Sequence, residues 1–437
     1  MTTIPQVAQV LQTVLGATAE QAGRESGFVQ RESKLSGSKF VQTLVFGWMA
    51  APEATLEQLA QTAAALGVEV SSQGLEQRFS QAAADCVRRV LEAAVQEATA
   101  GAAVDVSLLR RFAGVFLLDS STISLPDALA EVWAGCGSRE GSRSALKLQV
   151  ALDLTTGALR GPLLQAGRVH DRRSEWQQSS WPPGSLRIAD LGYFSLEVFQ
   201  RLAAEGAYYL SRLQVQTAVL DLAGRTYNLL ALLQAQDSPV DRPILLGAHH
   251  ALPARLLAAR APLEVAAERR RRLHAEARRR GQDVSQARLR LADWDILITN
   301  APSQLLTLPE ALCLAHARWQ VELLFKLWKS QGRLDESRSA KPWRILCEVY
   351  AKMLALLIQH WMLIVSCWGR AERSLVKAIQ TTQRYAAYVA ASFHDAASLC
   401  TALATIQRCL SLGCKINKSR VSRRTYQQLL AFEEGLA

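Results

Sequence analysis

The chain has 437 residues, of which 49% are hydrophobic and 20% charged, so disorder along its whole length is excluded. Fifty Lys and Arg against 39 Asp and Glu give a formal net charge of +11, which favours a polyanionic partner such as nucleic acid over a basic protein without that role. The eight cysteines form no CxxC pair and no zinc-finger spacing, which excludes a recognisable zinc module and indicates a reducing cytoplasm.

Residues 1–104 are predicted to be helical. The chain starts without a basic stretch followed by an apolar one, so no signal peptide is expected. The segment ATLEQLAQTAAALGVEVSSQGLEQRF predicts a helix, a turn at Gly67 and a second helix capped by Ser71 or Ser72. This helix-turn-helix pattern indicates either a DNA-binding region, with Arg78 near a phosphate, or a plain helical hairpin.

The hydrophobic period changes in residues 105–212. FAGVFLLDSSTISLP predicts a strand that stops at Asp119, and ALKLQVALDLTTGALRGPLL predicts a hairpin. SLRIADLGYFSLEVFQRLAAEGAYYLSRL then predicts a strand ending at Asp190, a helix capped by Ser195 and a strand ending at Arg212. A hairpin followed by strand, helix and strand indicates a mixed sheet with helices packed on it.

Residues 213–300 interrupt this alternation and predict a β-rich insertion that carries a basic helix. Within it, EVAAERRRRLHAEARRRG holds seven arginines between Arg269 and Arg280, and WDILITN follows as a strand. The arginines either pair with glutamates on a solvated helix face or contact a nucleic-acid backbone. Their surplus over the three glutamates of the segment favours the second interpretation.

Residues 301–370 and 371–437 are predicted to be mainly helical, and the second range carries a basic tail, CKINKSRVSRRTYQQL. The apolar stretch MLALLIQHWMLIVSCW is shorter than the about 20 residues of a membrane span and is interrupted by Gln359 and His360. It is therefore predicted to be a buried helix, and no membrane association is expected.

Two aspartates stand where predicted strands end, Asp119 after GVFLL and Asp190 after LRIA. Carboxylates at the ends of strands in an α/β sheet project into the crevice where such folds place their sites. Each residue taken alone is also explained as a turn or cap aspartate.

The segment RWQVELLFKLWKS, residues 318–330, is predicted to be an apolar helix that carries a line of charges. At 3.6 residues per turn, Arg318, Glu322, Phe325 and Lys329 share one stripe. Because a buried charge without a partner is costly, this stripe is expected to face other charges, a metal ion or water. The alternative is an Arg318–Glu322 pair on a solvated face.

Three acids in a basic protein indicate divalent metal ions, since Mg²⁺ prefers a few carboxylates together with water and phosphate oxygens. Two such ions about 3.5–4 Å apart activate an attacking oxygen and stabilise a leaving one. The seven histidines form no ligand pattern beside these acids, and this chemistry needs no histidine base.

DSSTISLP, DLGY, YYLSRL, WDILITN and RWQVELLFKLWKS together resemble the DDE transposases of the insertion-sequence-four type, over about residues 105–380. In that family the third acid lies in a signature of tyrosine, arginine, glutamate and lysine, separated by two, three and six residues. Arg318, Glu322 and Lys329 match the last three positions. Ala315 stands at the tyrosine position, so the phenol of the signature is missing.

The resemblance implies an α/β fold, with a ribonuclease-H-like mixed sheet, flanking helices, a β-rich insertion before the last acidic helix and an all-α N-terminal domain. Residues 1–104 would form a helical DNA-binding domain, and residues 105–212 and 301–370 would form the two parts of the catalytic core. Residues 213–300 would be the insertion, and residues 371–437 a C-terminal helical region with a basic tail.

The resemblance also implies the chemistry. Asp119, Asp190 and Glu322 would be catalytic and would hold Mg²⁺ or Mn²⁺, as two ions. Enzymes of this family cut one strand at the element end by hydrolysis. The freed 3′-hydroxyl attacks the other strand and forms a hairpin, water reopens the hairpin, and the final 3′-hydroxyl joins target DNA. Each step is an in-line displacement at phosphorus, so one site can serve all of them.

The binding residues follow from the same resemblance. Arg318 and Lys329 would hold phosphates of the terminal strand, with Lys326 and Arg212 as further phosphate ligands. Trp294 would brace a base removed from the stack during hairpin formation, or would pack in the core of its strand. The implied partners are double-stranded DNA, as element ends and as target, and a second copy of the chain in the DNA complex. The implied location is the bacterial cytoplasm, at the nucleoid.

Two other functions compete with an active transposase. The first is a catalytically inactive DNA-binding regulator derived from a transposase, against which the presence of all three acids weighs. The second is a glycosidase with a carboxylate pair, which the basic surplus and the charged stripe disfavour.

Overall fold

The computed structural model describes residues 1–31, 34–97, 99–137, 143–235, 239–370, 372–416 and 425–433. Their strands are β1 Val115–Leu125, β2 Ser144–Asp153, β3 Leu159–Ala166, β4 Leu186–Ala189, β5 Tyr208–Arg212, β6 Val219–Leu220, β7 Val240–Leu246, β8 Leu252–Arg260 and β9 Trp294–Thr299. Their α-helices are α1 Ile4–Gln12, α2 Ala19–Glu25, α3 Gly37–Ala50, α4 Leu56–Ala65, α5 Ser72–Glu76, α6 Gln81–Gln96, α7 Ser107–Arg110, α8 Leu196–Ala204, α9 Leu229–Gln234, α10 Leu263–Arg279, α11 Gln286–Leu291, α12 Leu308–Ala317, α13 Trp319–Ser330, α14 Pro342–Cys367, α15 Leu375–Ala391, α16 Ala396–Gly413 and α17 Thr425–Glu433.

The described strands form one mixed sheet in the order β3-β2-β1-β4-β5-β9-β8-β7-β6. Strands β1, β4 and β5 are parallel neighbours. Strand β3 runs antiparallel to β2, and the strands from β5 through β9, β8 and β7 to β6 are antiparallel in succession. The prediction of a mixed α/β protein with a mixed sheet is confirmed.

The chain divides into two compact units, each assembled from separate segments. The first unit comprises Met1–Asp105, Asp119–Val169 and Gln320–Gln427. The second unit comprises Val106–Leu118, His170–Trp319 and the described residues from Gln428 onward.

Helix α14 is the central helix of the first unit, where it packs against α3, α6 and α16. By length and composition alone it is apolar enough to cross a membrane, yet 94% of its most apolar 18-residue window is buried inside the protein. Almost all of its side chains are buried, and the buried helix predicted around Gln359 is confirmed. A core helix passes the same length and composition test, so this feature is weak support for a membrane span.

The region predicted as a helix-turn-helix differs from expectation in its second helix. Helix α4 ends before Gly67, whose positive φ of 79° makes the turn, and Ser71 caps α5 as predicted. Helix α5 has only 5 residues, because the chain turns again after Glu76 and Ser80 caps α6. A helix of barely more than one turn is shorter than the recognition helix of that motif, so the plain helical interpretation describes this segment better.

The predicted hairpin is present as β2 and β3, and its turn packs on α14 within the first unit. Gly157 has a φ of 76°, and a Cβ there would lie 2.4 Å from the Trp368 ring, so both its backbone and its surroundings require glycine. The buried His360 ring donates from Nε2 to the Gly157 carbonyl at 2.8 Å. Burial lowers the pKa of His360 to about 4, so the ring is neutral in the folded protein at neutral pH.

We expect the first unit to lose stability as the pH falls from about 6.5 to about 4. In that window the unfolded chain protonates His360 and the folded chain does not, so the loss is up to about 3 kcal/mol. Urea unfolding of the whole chain at pH 7 and pH 4.5 measures it. His360→Gln keeps a donor for the Gly157 carbonyl and should remove this part of the pH dependence. His394→Gln, at an exposed ring, is the control and should not.

The second unit contains the predicted strand-helix-strand segment as β4, α8 and β5, and the Ser195 hydroxyl caps α8 by accepting from the Val198 amide. Strand β5 ends at Arg212, as predicted. Strands β6 to β9 then form an antiparallel part of the sheet. Along the chain, α9 connects β6 to β7, and α10 and α11 connect β8 to β9. The described residues of 213–300 therefore contain four strands as well as a basic helix, α10. That this range is a β-rich insertion stays a prediction.

The arginines in and directly after α10 are more fully paired than the sequence indicated. Asp293 and Asp295, at the start of β9, provide partners that lie outside the helix. With them, five of the seven arginines form ion pairs within the described residues, and their partners are four acids. This reduces the surplus that favoured a nucleic-acid contact. The ion pairs are Arg269–Asp295, Arg270–Asp293, Arg271–Glu268, Arg272–Glu268 and Arg280–Glu276.

Candidate active site

The parallel pairing of two adjacent strands ends at the residues that precede the candidate aspartates. Strand β4 ends there, whereas β1 continues through Asp119 to Leu125, so the prediction that this strand stops at Asp119 is wrong. In the second unit, Leu118 of β1 lies opposite Ala189 of β4. The residue that follows each of them in sequence is an aspartate, Asp119 after Leu118 and Asp190 after Ala189. Both aspartates are half-buried, whereas the last four residues of β1 before Asp119 are buried. The paired parts of the two strands thus end at the same level, where the sequence changes from apolar to acidic.

The turn that follows Asp190 is held from behind by a buried guanidinium. Arg187 of β4 is 1% exposed and donates from Nη2 to Oε1 of Gln177 at 2.6 Å. The Gln177 amide then donates to the carbonyl of Tyr193, in the short 3₁₀ turn after Asp190, at 2.9 Å. Burial lowers the pKa of Arg187 to about 10, which still leaves it charged at neutral pH. This chain of hydrogen bonds fixes the backbone on both sides of Asp190.

Gln177→Leu should lower the free energy of unfolding by about 2–3 kcal/mol, because it removes the acceptor of a buried charged donor and the tie to Tyr193. Gln178→Leu makes the same change at the next position, where the side chain is exposed, and should have little effect. Guanidinium unfolding followed by circular dichroism compares the two variants. Equal stability of both would show that the Arg187–Gln177 bond does not hold this turn.

Helix α13 carries the predicted charged stripe, and the helix begins at Trp319. Arg318 lies at the junction between α12 and α13 and keeps right-handed helical backbone angles. The apolar face is buried as predicted, and its members are Val321, Leu324, Phe325, Leu327 and Trp328. Trp319 is an exception at 41% exposure. Of the charged residues, Glu322 and Lys329 are half-buried and Lys326 is exposed.

Lys329 joins α13 to the strand that carries Asp119. Its Nζ donates to the Thr122 carbonyl of β1 at 3.1 Å, and both residues belong to the first unit. Glu322 lies seven residues before Lys329, about 10 Å along the helix axis, and Asp119 lies three residues before Thr122, about 10 Å along the strand. Glu322 and Asp119 therefore lie at similar distances, along the helix and along the strand, from the hydrogen bond between Lys329 and Thr122.

The second unit contains a cavity of about 340 Å³ with a basic and an apolar side. Trp294 lines it at only 4% exposure, and the guanidinium of Arg260 lies 4.2 Å from the centre of its ring. Leu191, directly after Asp190, also lines the cavity. The arginines that line it are Arg212, Arg269, Arg272 and Arg288. Glu276 and Asp295 line the cavity as well, and Asp295 pairs with Arg269, so four arginines share it with two acids. A surplus of cations beside an apolar wall suits a phosphorylated, planar ligand.

The predicted site residues are divided between the two units. Asp119, Glu322, Lys326 and Lys329 belong to the first, and Asp190, Arg212, Trp294 and Arg318 belong to the second. Among the described residues, no group of three or more His, Cys, Asp and Glu side chains is arranged to hold a metal ion. The joint role of the three acids as metal ligands stays a prediction.

Some residues around the candidate site were not selected from the sequence. Arg187 was visible as a charge inside an otherwise apolar strand, LRIA, which is a signal of a buried polar partner. Gln177 had no such signal, since its role depends on Arg187 and Tyr193, which lie 10 and 16 residues further along the chain, outside any local sequence pattern. Arg272 and Arg288 were part of a run or of a polar loop, and only the fold shows that they share a cavity with Arg212.

Comparison with known families places these features in context. The model of the transposase DDE domain matches residues 110–358, more than half of the chain. The chain therefore belongs to the transposases with a DDE domain, and it is an enzyme that acts on DNA. Its relatives place it with the insertion-sequence-four type, so the resemblance drawn from the sequence motifs is confirmed.

Those relatives are transposases of bacterial insertion sequences. The transposase for insertion sequence element IS231B of Bacillus thuringiensis subsp. berliner is 26% identical over 363 residues, which cover 78% of this chain and 75% of the relative. The transposase for IS1151 of Clostridium perfringens is 22% identical over 365 residues, 78% of this chain and 77% of the relative. The putative transposase InsL for IS186A of Escherichia coli (strain K12) is 28% identical over 252 residues, 55% of this chain and 64% of the relative.

Proposed function

We propose that this transposase cuts and joins DNA at the ends of an insertion element with Asp119, Asp190 and Glu322 as its catalytic carboxylates. The observation that carries the proposal is the register of the two parallel strands, with Leu118 opposite Ala189 and an aspartate next in each. A second observation is the hydrogen bond from Lys329 to the Thr122 carbonyl, which links the helix that carries Glu322 to the strand that carries Asp119. We propose that folding uses these two relations to present three carboxylates to one phosphate.

The side chains suit divalent cations by their chemistry. Carboxylate oxygens are the ligands that Mg²⁺ and Mn²⁺ prefer, and half-buried aspartates leave room for water and for a phosphate. A pair of such ions would stabilise the charge on the attacking and leaving oxygens. We propose that Asp119, Asp190 and Glu322 hold the pair.

The proposed reaction is a series of displacements at phosphorus. In the first, a water oxygen bonds to phosphorus, the bond to the 3′-oxygen breaks, and the leaving oxygen takes a proton as a 3′-hydroxyl. In hairpin formation that hydroxyl attacks a phosphate of the opposite strand, and the 3′-oxygen of the flanking DNA leaves as a hydroxyl. Water then attacks the hairpin phosphate, and the bond to the 3′-oxygen of the element end breaks to restore its 3′-hydroxyl. In strand transfer this 3′-hydroxyl attacks a target phosphate whose own 3′-oxygen leaves. Arg318, Lys329 and Lys326 would hold phosphates of the terminal strand during these steps.

We propose that the cavity of the second unit receives the base that hairpin formation removes from the stack. Trp294 would form its wall, and Arg212, which closes β5, would hold the neighbouring phosphate. The position of Leu191 in the lining supports this assignment, because Leu191 directly follows a proposed catalytic aspartate. A base weakly held in the cavity would return to the duplex, so the cavity would govern the hairpin step more than the first cut.

The remaining parts of the architecture are assigned as follows. We propose that β1 to β5 form a ribonuclease-H-like core, supported by the order β3-β2-β1-β4-β5 with β1, β4 and β5 parallel. Residues 105–212 and 301–370 would contribute this core, 213–300 the insertion, 1–104 a DNA-binding domain and 371–437 a C-terminal helical region. Most of its basic tail lies outside the described residues. Two copies would act together on two DNA ends, in the bacterial cytoplasm.

A cleavage assay tests the proposed function. The purified full chain is incubated with a supercoiled plasmid that carries its gene and the flanking DNA, with Mg²⁺, Mn²⁺ or EDTA. We expect nicks and hairpin ends at the element boundaries with either metal and none with EDTA. Binding of the plasmid without metal-dependent cleavage would reject the enzyme proposal and support a DNA-binding regulator. Neither binding nor cleavage would reject both.

A further inference from the structure

The segment that follows α13 presents a line of cations on the first unit. Arg333, Arg338 and Lys341 are 44%, 56% and 69% exposed at their side chains. The first of them, Arg333, lies four residues after Lys329, which the sequence predicts to bind a DNA phosphate. We call Arg333, Arg338 and Lys341 the basic segment.

The backbone around the basic segment is fixed by hydrogen bonds from the buried helix α14. The buried Lys352 of α14 donates from Nζ to the carbonyls of Arg333 at 2.9 Å and Glu336 at 2.8 Å. Its charge is balanced by Glu348 at 2.8 Å, and the two side chains are only 2% and 4% exposed. Glu348 also accepts from the Ser337 hydroxyl at 2.7 Å. A buried ion pair has a large desolvation cost, and this pair fixes two backbone carbonyls. It therefore preorganises the backbone that carries the three cations.

One carboxylate from the N-terminal helical region bridges two of these cations. Glu53 pairs with Arg333 through one oxygen and with Arg338 through the other, the second at 3.0 Å. Both oxygens of one anion therefore meet two guanidinium groups, which is the arrangement that a phosphate would adopt. The Glu53 side chain is 39% exposed, so these pairs contribute little to stability and exchange readily.

A second glutamate nearby is bound differently and serves as a contrast. Glu76 pairs with Lys341 at 2.7 Å and with Arg344 at 2.8 Å. Arg344 is only 13% exposed, and its guanidinium lies 5.6 Å from the Phe79 ring centre. This pair is part of the packed structure, so Glu53 rather than Glu76 is the carboxylate that an incoming anion can displace.

We infer that the basic segment binds DNA phosphates and that Glu53 occupies this site, in competition with them, when DNA is absent. The inference rests on the proposed function, since it takes DNA as the anion. Displacement of Glu53 by a phosphate keeps both guanidinium groups paired, and Arg333 also has a pair with Glu336 at 3.1 Å. DNA binding at this site therefore exchanges one exposed anion for another, at a small cost in free energy. Glu53 thereby lowers the affinity for every DNA sequence and raises the selectivity for sites that contribute further contacts.

Fluorescence anisotropy with a labelled 30-base-pair duplex of arbitrary sequence, titrated at several salt concentrations, tests this inference. Glu53→Gln should bind about twofold to fivefold more tightly than the wild type, the range expected for the loss of an exposed competing ion pair. Glu57→Gln is the matched control. It removes the same charge from an exposed position in the first turn of α4, where no described residue forms an ion pair with it, and should change affinity less than Glu53→Gln.

Substitution of the cations should have the opposite effect. Arg333→Gln/Arg338→Gln should weaken binding and lower the salt slope by about one per cation removed. Adding Glu53→Gln to that background should bring no further gain, because the competitor no longer has a site to occupy. Arg384→Gln, at an exposed position on α15, controls for the general loss of positive charge.

The outcomes separate this inference from the function on which it rests. If the wild type binds no DNA, both are overturned. If the wild type binds DNA but Glu53→Gln and Glu57→Gln have equal affinities, only the role of Glu53 is overturned. If the arginine variants keep the wild-type salt slope, the basic segment does not bind phosphate. Thermal unfolding of each variant shows whether it is folded, and the arginine variants carry the test should Glu53→Gln fail to fold.

Discussion

Asp190→Asn is expected to abolish metal-dependent DNA cleavage while the protein still folds and binds DNA. Asparagine has the shape of aspartate but lacks the negative charge that a divalent cation requires. The loss of several kcal/mol of transition-state stabilisation corresponds to a decrease in rate of at least about 10³-fold. Asp190 leads directly into the turn held by Gln177 and Arg187, and these bonds do not use its carboxylate, so the fold should persist.

Matched substitutions at exposed aspartates make this expectation specific. Asp283→Asn changes an exposed carboxylate of the second unit, and Asp335→Asn changes one of the first. Both should keep wild-type cleavage, while Asp119→Asn should be as inactive as Asp190→Asn. Cleavage is measured on the flanking-DNA plasmid in Mg²⁺, and DNA binding is measured separately by anisotropy. Substantial cleavage by Asp190→Asn would reject metal catalysis through this residue, even if the wild type is an active nuclease.

The end of β4 was the most predictable part of the candidate site, because the apolar run before Asp190 stops where the strand stops. The apolar run before Asp119 marks only the end of the fully buried part of β1, which continues to Leu125. That two such strands are parallel neighbours in register is a property of the sheet, and no local pattern in either strand specifies it. The sequence therefore predicts the two carboxylates, and the fold supplies the relation between Leu118 and Ala189.

Ion pairs between distant segments were less predictable, because no local sequence pattern shows which segments pack together. The arginines of α10 were compared with glutamates of the same helix, because helix periodicity makes those neighbours visible in the sequence. Asp293 and Asp295 lie more than twenty residues further along, and only the packing of α10 near β9 makes them partners. The same holds for the predicted helix-turn-helix. The turn at Gly67 and the cap at Ser71 predict that a second helix begins, but they do not predict that α5 ends after Glu76 and that α6 begins soon afterwards.

Trp294→Ala is expected to destabilise the second unit by about 3–5 kcal/mol, the usual cost of truncating a large buried aromatic side chain. Trp294 begins β9, opposite Arg260 of β8, and the guanidinium of Arg260 covers its ring at 4.2 Å. Removal of the ring empties the wall of the cavity and also removes this cation–π contact. Chemical unfolding of the full chain measures the loss. A decrease below about 1 kcal/mol would show that the ring does not support the strand.

Trp294→Phe separates the packing of this side chain from its proposed contact with an extruded base. Phenylalanine keeps most of the apolar wall but stacks over a smaller area, so we expect slower hairpin formation relative to the first nick. Base stacking contributes about 1–3 kcal/mol, and partial loss should reduce the hairpin-to-nick ratio by roughly fivefold. Trp181→Phe makes the same change at a residue of the second unit that is 3% exposed. If both variants gave the same ratio, Trp294 would be a core residue of β9 without a role in holding the base, because Trp294 lines the cavity and Trp181 is not among its lining residues.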